Sequence, residues 1–193
     1  MSAEYKITLP LQTAESASGD APEGLRKARQ AMGFVPNMYG AMANSPALFS
    51  GYSTGYGRFR AESGFTSVEQ EVVFLIISRG NGCAYCMSAH SFVADAMSKV
   101  PTEVTNAIRS GQPIADAKLQ ALATFTQVMF DSRGKPTKAQ AQAFLDAGYS
   151  ERQMLEVVLA IAVKTLSNYT NHLFHTPLDD AFAGRQWQPE KAP

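Results

Sequence analysis

Two cysteines and a histidine at short spacings are the residues of this sequence best suited to chemistry. Cys83 and Cys86 are the only two cysteines, and His90 follows the second by four residues. Gly82 precedes a predicted helix that begins at the cysteines, where free backbone N–H groups and the helix dipole favour thiolates. Four residues on, the His90 imidazole lies beside Cys86, so it can accept the thiol proton or pair with the thiolate.

Two thiols within disulfide reach and a nearby base permit a redox cycle. One thiolate attacks an electrophile such as a peroxide, the sulfenic acid condenses with the second thiol, and an external dithiol reduces the disulfide. Glu71, on the preceding helix, is the candidate for orienting His90 through a hydrogen bond, as the third group of a triad does. Its place in a first helical turn also has a purely structural explanation, because acids are favoured there.

The same residues allow three other interpretations. Cys83, Cys86 and His90 supply three metal ligands of suitable type, and His172 or His175 would be the fourth. The two cysteines would otherwise be buried small hydrophobes. A thioredoxin-type oxidoreductase would place C-x-x-C after a strand in a βαβ unit, and the helical surroundings argue against that.

The elements that must position these residues are helices, because no alternating strand pattern or internal repeat is present. The most apolar one, 67–79, carries Glu71 and is predicted to be fully buried, with Ser67 and Gln70 as its capping box and Gly80 as its C-terminal cap. The segment 154–166 is apolar nearly all round, which predicts a core helix or an oligomer seam. The other predicted helices span 23–32, 37–43, 46–60, 84–99, 103–110, 115–130, 138–147 and 151–172.

Aromatic side chains recur on the helix that Pro46 opens. Phe49, Tyr52, Tyr56 and Phe59 are spaced by three and four residues, so the rings share one face. Such a stripe is typical of core packing, and one wall of a substrate pocket is the alternative.

The whole chain predicts one cytoplasmic domain. Its 193 residues suit a flexible arm over 1–20 and a single domain over 21–193. The 17 basic residues equal the 17 acidic ones, which argues against a nucleic-acid surface or a polybasic membrane patch. We expect neither a secretory signal nor a membrane span, because the N-terminus lacks a basic-then-apolar pattern and no apolar run reaches about 18 residues.

The spacing of Glu71, Cys83, Cys86 and His90 resembles the motif of the AhpD-like alkylhydroperoxidases, in the carboxymuconolactone decarboxylase superfamily. SRGNGCAYCMSAH is most similar to the peroxidase-related branch. Two further segments resemble that branch: FVPNMYGAMANSPALFSGY resembles the segment before the motif, and NHLFHTPLDDAF resembles the C-terminal end. The resemblance therefore spans about residues 30–183.

The resemblance implies a compact all-α AhpD-like domain with the C-x-x-C at the start of a central helix, assembled into dimers, trimers or hexamers. It implies a peroxidase in which Cys86 attacks the peroxide, Cys83 resolves the product to a disulfide, and His90 and Glu71 form the proton relay. No metal or organic cofactor is expected. The implied partners are a peroxide substrate and an external dithiol or protein reductant.

Tyr85 departs from the family pattern. The best-known hydroperoxidases carry a histidine just before the second cysteine, and a phenol, with a pKa of about 10, cannot shuttle protons near neutral pH. Tyr85 is therefore a possible pocket residue that donates a hydrogen bond. The departure keeps open a redox-sensing or binding protein whose dithiol switches assembly or partner contacts. Decarboxylation is not favoured, because the decarboxylase members lack the cysteine pair.

Overall fold

The computed structural model describes residues 3–189, which form helices and contain no β-strand. The predicted all-α class is therefore confirmed. None of the helices in this range has the length and apolarity needed to cross a bilayer. The helices are α1 (Ala21–Met32), α2 (Asn37–Met42), α3 (Pro46–Glu62), α4 (Ser67–Gly80), α5 (Ala84–Ala96), α6 (Thr102–Ser110), α7 (Ala117–Asp131), α8 (Lys138–Asp146) and α9 (Glu151–Phe174), followed by a 3₁₀ turn (Asp180–Arg185).

Helix α4 lies at the centre of the fold, packed against α5, α6, α7 and α9. Every residue from Glu69 to Leu75 is buried, whereas Ile76 and Arg79 are partly exposed. Apolar side chains all round the helix account for this position, because each face needs a neighbour to exclude water. The central position also brings Glu71 within reach of both α3 and α5.

The capping box of α4 lies one residue before the predicted position. The Thr66 hydroxyl accepts from the backbone N–H of Glu69, whose carboxylate accepts from the Thr66 N–H at 2.8 Å. The predicted pair of Ser67 and Gln70 is therefore wrong. Gln70 is one position too far along for this exchange, and its amide nitrogen donates instead to the carbonyl of Arg60 at 3.0 Å.

Two helix ends also differ from the sequence-based prediction. Gly80 is the last residue of α4 rather than its cap, which is Asn81. A side chain at Gly80 would collide with the Phe130 ring, because a Cβ there would lie 2.8 Å from Cε1, so glycine serves close packing. Helix α5 ends at Ala96, three residues early, and Lys99 beyond it has a left-handed φ of 55°.

Helix α9 is two-sided rather than buried all round. Its inner face carries Val157, Val163, Lys164, Asn168 and Asn171, all buried. Its outer face exposes four large apolar side chains, which we call the α9 stripe: Leu155, Val158, Tyr169 and Leu173. The inner face approaches α3 closely at Gly55, where a Cβ would lie 2.9 Å from a Val163 methyl.

The segment before α1 runs along the helical body. The Ile7 N–H donates to the Leu173 carbonyl at 2.9 Å, and the Gln12 N–H donates to the Gly40 carbonyl at 2.9 Å. The flexibility of the arm over 1–20 stays a prediction, as does the single domain over 21–193. Residues 1–2 of that arm and 190–193 of that domain lie outside the described residues.

Candidate functional site

The two cysteines lie where α5 begins. Gly82 has a φ of 64°, a left-handed conformation that glycine adopts without steric cost and that turns the chain out of α4. Cys83 is then the N-terminal cap of α5, with its N–H donating to the Ser78 carbonyl at 3.0 Å, and Cys86 lies in the first turn. Both thiols are free and buried, with 1% of Cys83 and 2% of Cys86 exposed.

The environment makes the two thiols unequal. Hydrogen bonding to Cys86, followed by burial, raises the pKa of Cys83 well above its ordinary value. Burial opposes ionisation of Cys86, but the interactions with Cys83, Lys164 and His90 outweigh it and hold the pKa of Cys86 well below its ordinary value. The sequence predicted thiolate stabilisation at both positions, and the structure corrects this for Cys83. These directions favour a protonated Cys83 beside an ionised Cys86.

Helix α9 supplies polar groups to the dithiol that the sequence analysis missed. The Asn171 amide nitrogen donates to the Cys86 sulfur at 3.2 Å and lies 4.0 Å from the Cys83 sulfur. The Asn168 side chain also favours the thiolate by lowering the pKa of Cys86. Its carbonyl accepts from the Asn81 amide at 2.8 Å, which ties α9 to the turn before the cysteines. No local signal marks these positions, because residues 164–172 of α9 are polar at most positions.

His90 and Glu71 meet in the interior, as the sequence suggested. His90 Nδ1 lies 2.8 Å from Glu71 Oε2, and the Glu71 side chain is fully buried. Burial and the positive charge of Lys164 lower the pKa of His90 despite the carboxylate. The neutral imidazole therefore donates from Nδ1 to the ionised Glu71, which leaves Nε2 unprotonated and able to take a proton.

Arg60 is a further member of this group that sequence reasoning did not single out. Its guanidinium donates to Glu71 Oε1 and, at 2.9 Å, to the Tyr56 hydroxyl. It also lies 4.9 Å from the centre of the Phe74 ring. Burial raises the pKa of Glu71, but His90 and then Arg60 outweigh it, so the pKa lies below its ordinary value. Arg60 and His90 thus favour the carboxylate form of Glu71, and the Ser98 hydroxyl also donates to Oε1 at 3.3 Å.

The aromatic residues of α3 belong to both the core and the site. Phe49, Tyr52 and Phe59 are buried, which agrees with core packing. Tyr52 stacks on Tyr56 at 5.6 Å, and Tyr56 stacks on Phe74 at 5.5 Å. Burial, with a contribution from nearby Cys86, raises the pKa of Tyr52 well above its ordinary value. One end of this row of rings therefore lies close to the dithiol.

The Tyr85 hydroxyl makes its hydrogen bonds outside the dithiol. Its hydroxyl donates to the Asp179 carboxylate and accepts from the Met38 N–H at 3.4 Å. Burial and then the Asp179 carboxylate raise the pKa of Tyr85, so the phenol stays protonated. The hydrogen bond expected of Tyr85 is made, but it holds the segment before the 3₁₀ turn and leaves nothing to relay a proton.

The two C-terminal histidines do not join the cysteines. His175 caps the end of α9, and its Nε2 lies 2.8 Å from the Ala3 carbonyl oxygen. His172 is half-buried and stacks on Tyr169 with ring centres 6.3 Å apart. Across residues 3–189, no group of three or more histidine, cysteine, aspartate or glutamate side chains is arranged to hold a metal ion. The geometry therefore does not support the metal interpretation of the motif.

Comparison of the sequence with protein-family models and with curated proteins finds no match. Solved structures do match. A peroxidase-related protein with an AhpD core from Ralstonia eutropha superposes with a TM-score of 0.81 at 20% identity, covering 93% of this chain and 97% of that one. A peroxidase-related protein from a Silicibacter species gives 0.78 at 17% identity, covering 95% and 98%.

The third neighbour is a debrominase, Bmp8, whose apo structure gives a TM-score of 0.74 at 21% identity, covering 93% of this chain and 96% of that one. A cysteine-to-alanine form of Bmp8, in complex with 2,3,4-tribromopyrrole, gives 0.70 at 21% identity, covering 86% and 90%. At these identities the likeness concerns the fold. The chain therefore has the AhpD-like all-α fold.

Proposed function

We propose that the protein is a thiol-dependent peroxidase in which Cys86 is the attacking thiol and Cys83 the resolving thiol. The observation that carries the proposal is the unequal dithiol: Cys86 receives the Asn171 hydrogen bond at 3.2 Å and its pKa lies well below the ordinary value, whereas the pKa of Cys83 is raised. A peroxidase needs this division, because the first step requires a nucleophile and the second requires a proton for the leaving group.

The cycle balances with the groups present. The Cys86 sulfur forms a bond to the terminal oxygen of the peroxide while the O–O bond breaks, giving a sulfenic acid and, after protonation, an alcohol or water. The Cys83 sulfur then attacks the sulfenic sulfur, its proton leaves with the hydroxide as water, and a disulfide forms. His90, with Nε2 unprotonated and Nδ1 fixed on Glu71, moves protons between these steps. An external dithiol or protein reductant restores the thiols.

The test is the intact mass of fully reduced protein after one equivalent of hydrogen peroxide. We expect rapid loss of two hydrogens from the native protein. Cys83→Ser should instead accumulate a sulfenic acid that a dimedone probe traps, and Cys86→Ser should form neither product. Because eight methionines can also take up oxygen, the variant lacking both cysteines is the control. A sulfenic acid trapped in Cys86→Ser as fast as in Cys83→Ser, or slow and unselective oxygen addition to the native protein, would refute the assignment.

Reductive dehalogenation is a second candidate, favoured by the debrominase neighbour and by the aromatic row of Tyr52, Tyr56 and Phe74. The Cys86 thiolate would take the bromine from the ring, breaking the C–Br bond. The ring carbon keeps the electron pair and takes a proton. Cys83 would then displace bromide from sulfur and close the disulfide. Bromide released in equal amount to disulfide from a brominated pyrrole, without turnover of peroxide, would favour this candidate.

We also propose that the protein is a cytoplasmic homo-oligomer, a dimer, trimer or hexamer, associating through the α9 stripe. The α9 stripe places four large exposed apolar side chains on one helix face. Monomeric proteins rarely expose large contiguous apolar patches, and such patches often mark protein–protein contacts. Light scattering on Leu155→Glu should give a lower mass than on native protein. A mass that changes between reduced and oxidised protein would favour the redox-sensing alternative. An unchanged mass together with peroxide turnover would favour the enzyme.

A further inference from the structure

Lys164 is a buried cation with no polar partner in the part of the chain that the structure describes. Only 1% of the residue is exposed. Its Nζ lies 5.5 Å from the centre of the Phe74 ring. A cation–π contact contributes about 0.5–2 kcal/mol, whereas removing an ammonium group from water costs several kcal/mol. The ring alone does not offset that cost, so Lys164 requires a nearby negative charge.

The buried carboxylates of the described residues already have partners: Glu69, Glu71 and Asp179. Glu71 is engaged by Arg60 through Oε1 and by His90 through Oε2. Among residues 3–189, the other buried group in this region that favours a negative charge is Cys86. Asn171 lies seven residues beyond Lys164 on the same helix face, and its amide is 3.2 Å from the Cys86 sulfur. The positive charge of Lys164 also lowers the pKa of Cys86, after the interaction with Cys83.

We propose that Lys164 is the buried counter-ion of the Cys86 thiolate, and so a positioning residue of the dithiol that acts through its charge. The inference deepens the proposed function and rests on it for its purpose. The titratable groups that face Cys86 are Cys83, Tyr85 and His90 on α5, Tyr52 on α3, and Lys164 and His172 on α9, with Glu71 and Arg60 beyond His90.

This arrangement separates two tasks that one histidine often performs together. In many thiol enzymes an imidazolium balances the thiolate, and the base is then already protonated. Here burial and Lys164 lower the pKa of His90 and favour the neutral ring. With Lys164 supplying the charge, the Cys86 thiolate persists while His90 remains free to accept a proton.

The pairing also predicts a redox consequence. Reduction of the disulfide by two electrons and one proton gives the Cys86 thiolate and the Cys83 thiol. Lys164 stabilises that product and has no anion to pair with when the disulfide is closed. A stabilised reduced form makes a disulfide a stronger oxidant. Removing the charge of Lys164 should therefore shift the equilibrium with glutathione toward the disulfide by about tenfold or more, or about 30 mV for each factor of ten.

The test is the ultraviolet absorbance of the thiolate in the reduced full-length protein, titrated against pH with Cys86→Ser as the blank. In Lys164→Met we expect the midpoint to rise so that the thiolate-to-thiol ratio at a given pH falls about tenfold or more. Lys164→Arg keeps the charge and should stay near the native midpoint. Lys27→Met is the matched control, because Lys27 is an exposed lysine paired with Glu23 on α1.

A native midpoint in Lys164→Met would overturn the proposal. If that variant does not fold, Lys164→Gln carries the same test with a polar side chain. His90→Asn provides an independent variant. A thiolate midpoint that stays low in His90→Asn supports Lys164 as the counter-ion. A midpoint that rises as far as expected for Lys164→Met would assign the charge to the imidazole and overturn the proposal. Native protein that holds the thiolate but forms no disulfide with peroxide would refute the peroxidase and leave the Lys164 result standing.

Discussion

Asn171→Leu isolates the hydrogen bond to the thiolate from the stability of the fold. The Asn171 amide nitrogen donates to the Cys86 sulfur at 3.2 Å, and its amide oxygen is buried without a hydrogen-bond partner among residues 3–189. Leucine has a similar size and removes both the donor and the unsatisfied oxygen. Because relieving that oxygen offsets the lost bond, we expect little change in the free energy of unfolding.

The magnitude follows from the charge on the acceptor. A hydrogen bond to an ionised group contributes about 1.5–3 kcal/mol, and one pKa unit corresponds to about 1.4 kcal/mol. The pKa of Cys86 should therefore rise by about one to two units. A more basic thiolate is also a better nucleophile, with a Brønsted slope of about 0.4–0.5. The rate of attack should thus fall about 3- to 10-fold below both midpoints and rise by about the same factor above them.

The assay is the rate of peroxide-driven disulfide formation as a function of pH, read by acid quench and intact mass, with the thiolate midpoint measured on the same sample. Thr170→Val is the matched control, because the Thr170 hydroxyl donates to the Leu166 carbonyl of its own helix at 2.7 Å. The diagnostic result is a crossing of the native and Asn171→Leu profiles. A uniform loss of rate at every pH, with no shift of the midpoint, would show that Asn171 orders the site without acting on charge.

Three further predictions concern stability. The pKa of Glu71 is about 4.5 in the unfolded chain and lower in the folded protein. Ionised Glu71 therefore stabilises the fold above pH 4.5, and this stability is lost as the pH falls through the folded pKa. The free energy of urea unfolding should thus vary less between about pH 5 and 3 for Glu71→Gln than for native protein. Thermal unfolding should show that Gly55→Ala destabilises the protein by about 1–2 kcal/mol through overpacking. Gly57→Ala should instead stabilise it by up to about 1 kcal/mol, because no atom lies within 4 Å of a Cβ at that position. Equal effects of the two substitutions would refute the close approach of α3 to α9. Tyr85→Phe should lower the free energy of unfolding by about 1–3 kcal/mol, because it removes a hydrogen-bond donor from Asp179. The pH midpoint of the Cys86 thiolate should stay unchanged. A shifted midpoint would show that the Tyr85 hydroxyl acts on the dithiol.

The bond between Arg60 and Glu71 changes how the proposed relay works. A carboxylate shared between a guanidinium and an imidazole is a weaker base than one that faces the imidazole alone. In the proposed cycle, Glu71 would therefore orient His90 and fix its tautomer without taking up the proton. The proton would move through Nε2 of His90, the atom that Glu71 does not engage.

Much of the site could be predicted because it is local in the chain. The spacing of Cys83, Cys86 and His90 places all three within two turns of one helix, and helical geometry is set by backbone hydrogen bonds between near neighbours. The all-α class follows from the same short-range periodicity. Errors of one to three residues at the ends of α4 and α5 arose where side-chain caps and close packing, rather than periodicity, decide the boundary.

The side chains from other helices that meet the dithiol could not be predicted from the sequence, because the packing of distant helices brings them there. Lys164 and Asn171 lie about 80 residues from the cysteines, and nothing local distinguishes them from polar residues on a solvated face. Packing of α9 against α4 and α5 buries them, and burial is what turns an ordinary lysine and an amide into strong electrostatic partners, because charges interact more strongly when water is excluded. The spacing in the chain was enough to predict a dithiol with a base beside it. The packing of the helices makes the two thiols unequal, because it lowers the pKa of Cys86 and raises that of Cys83.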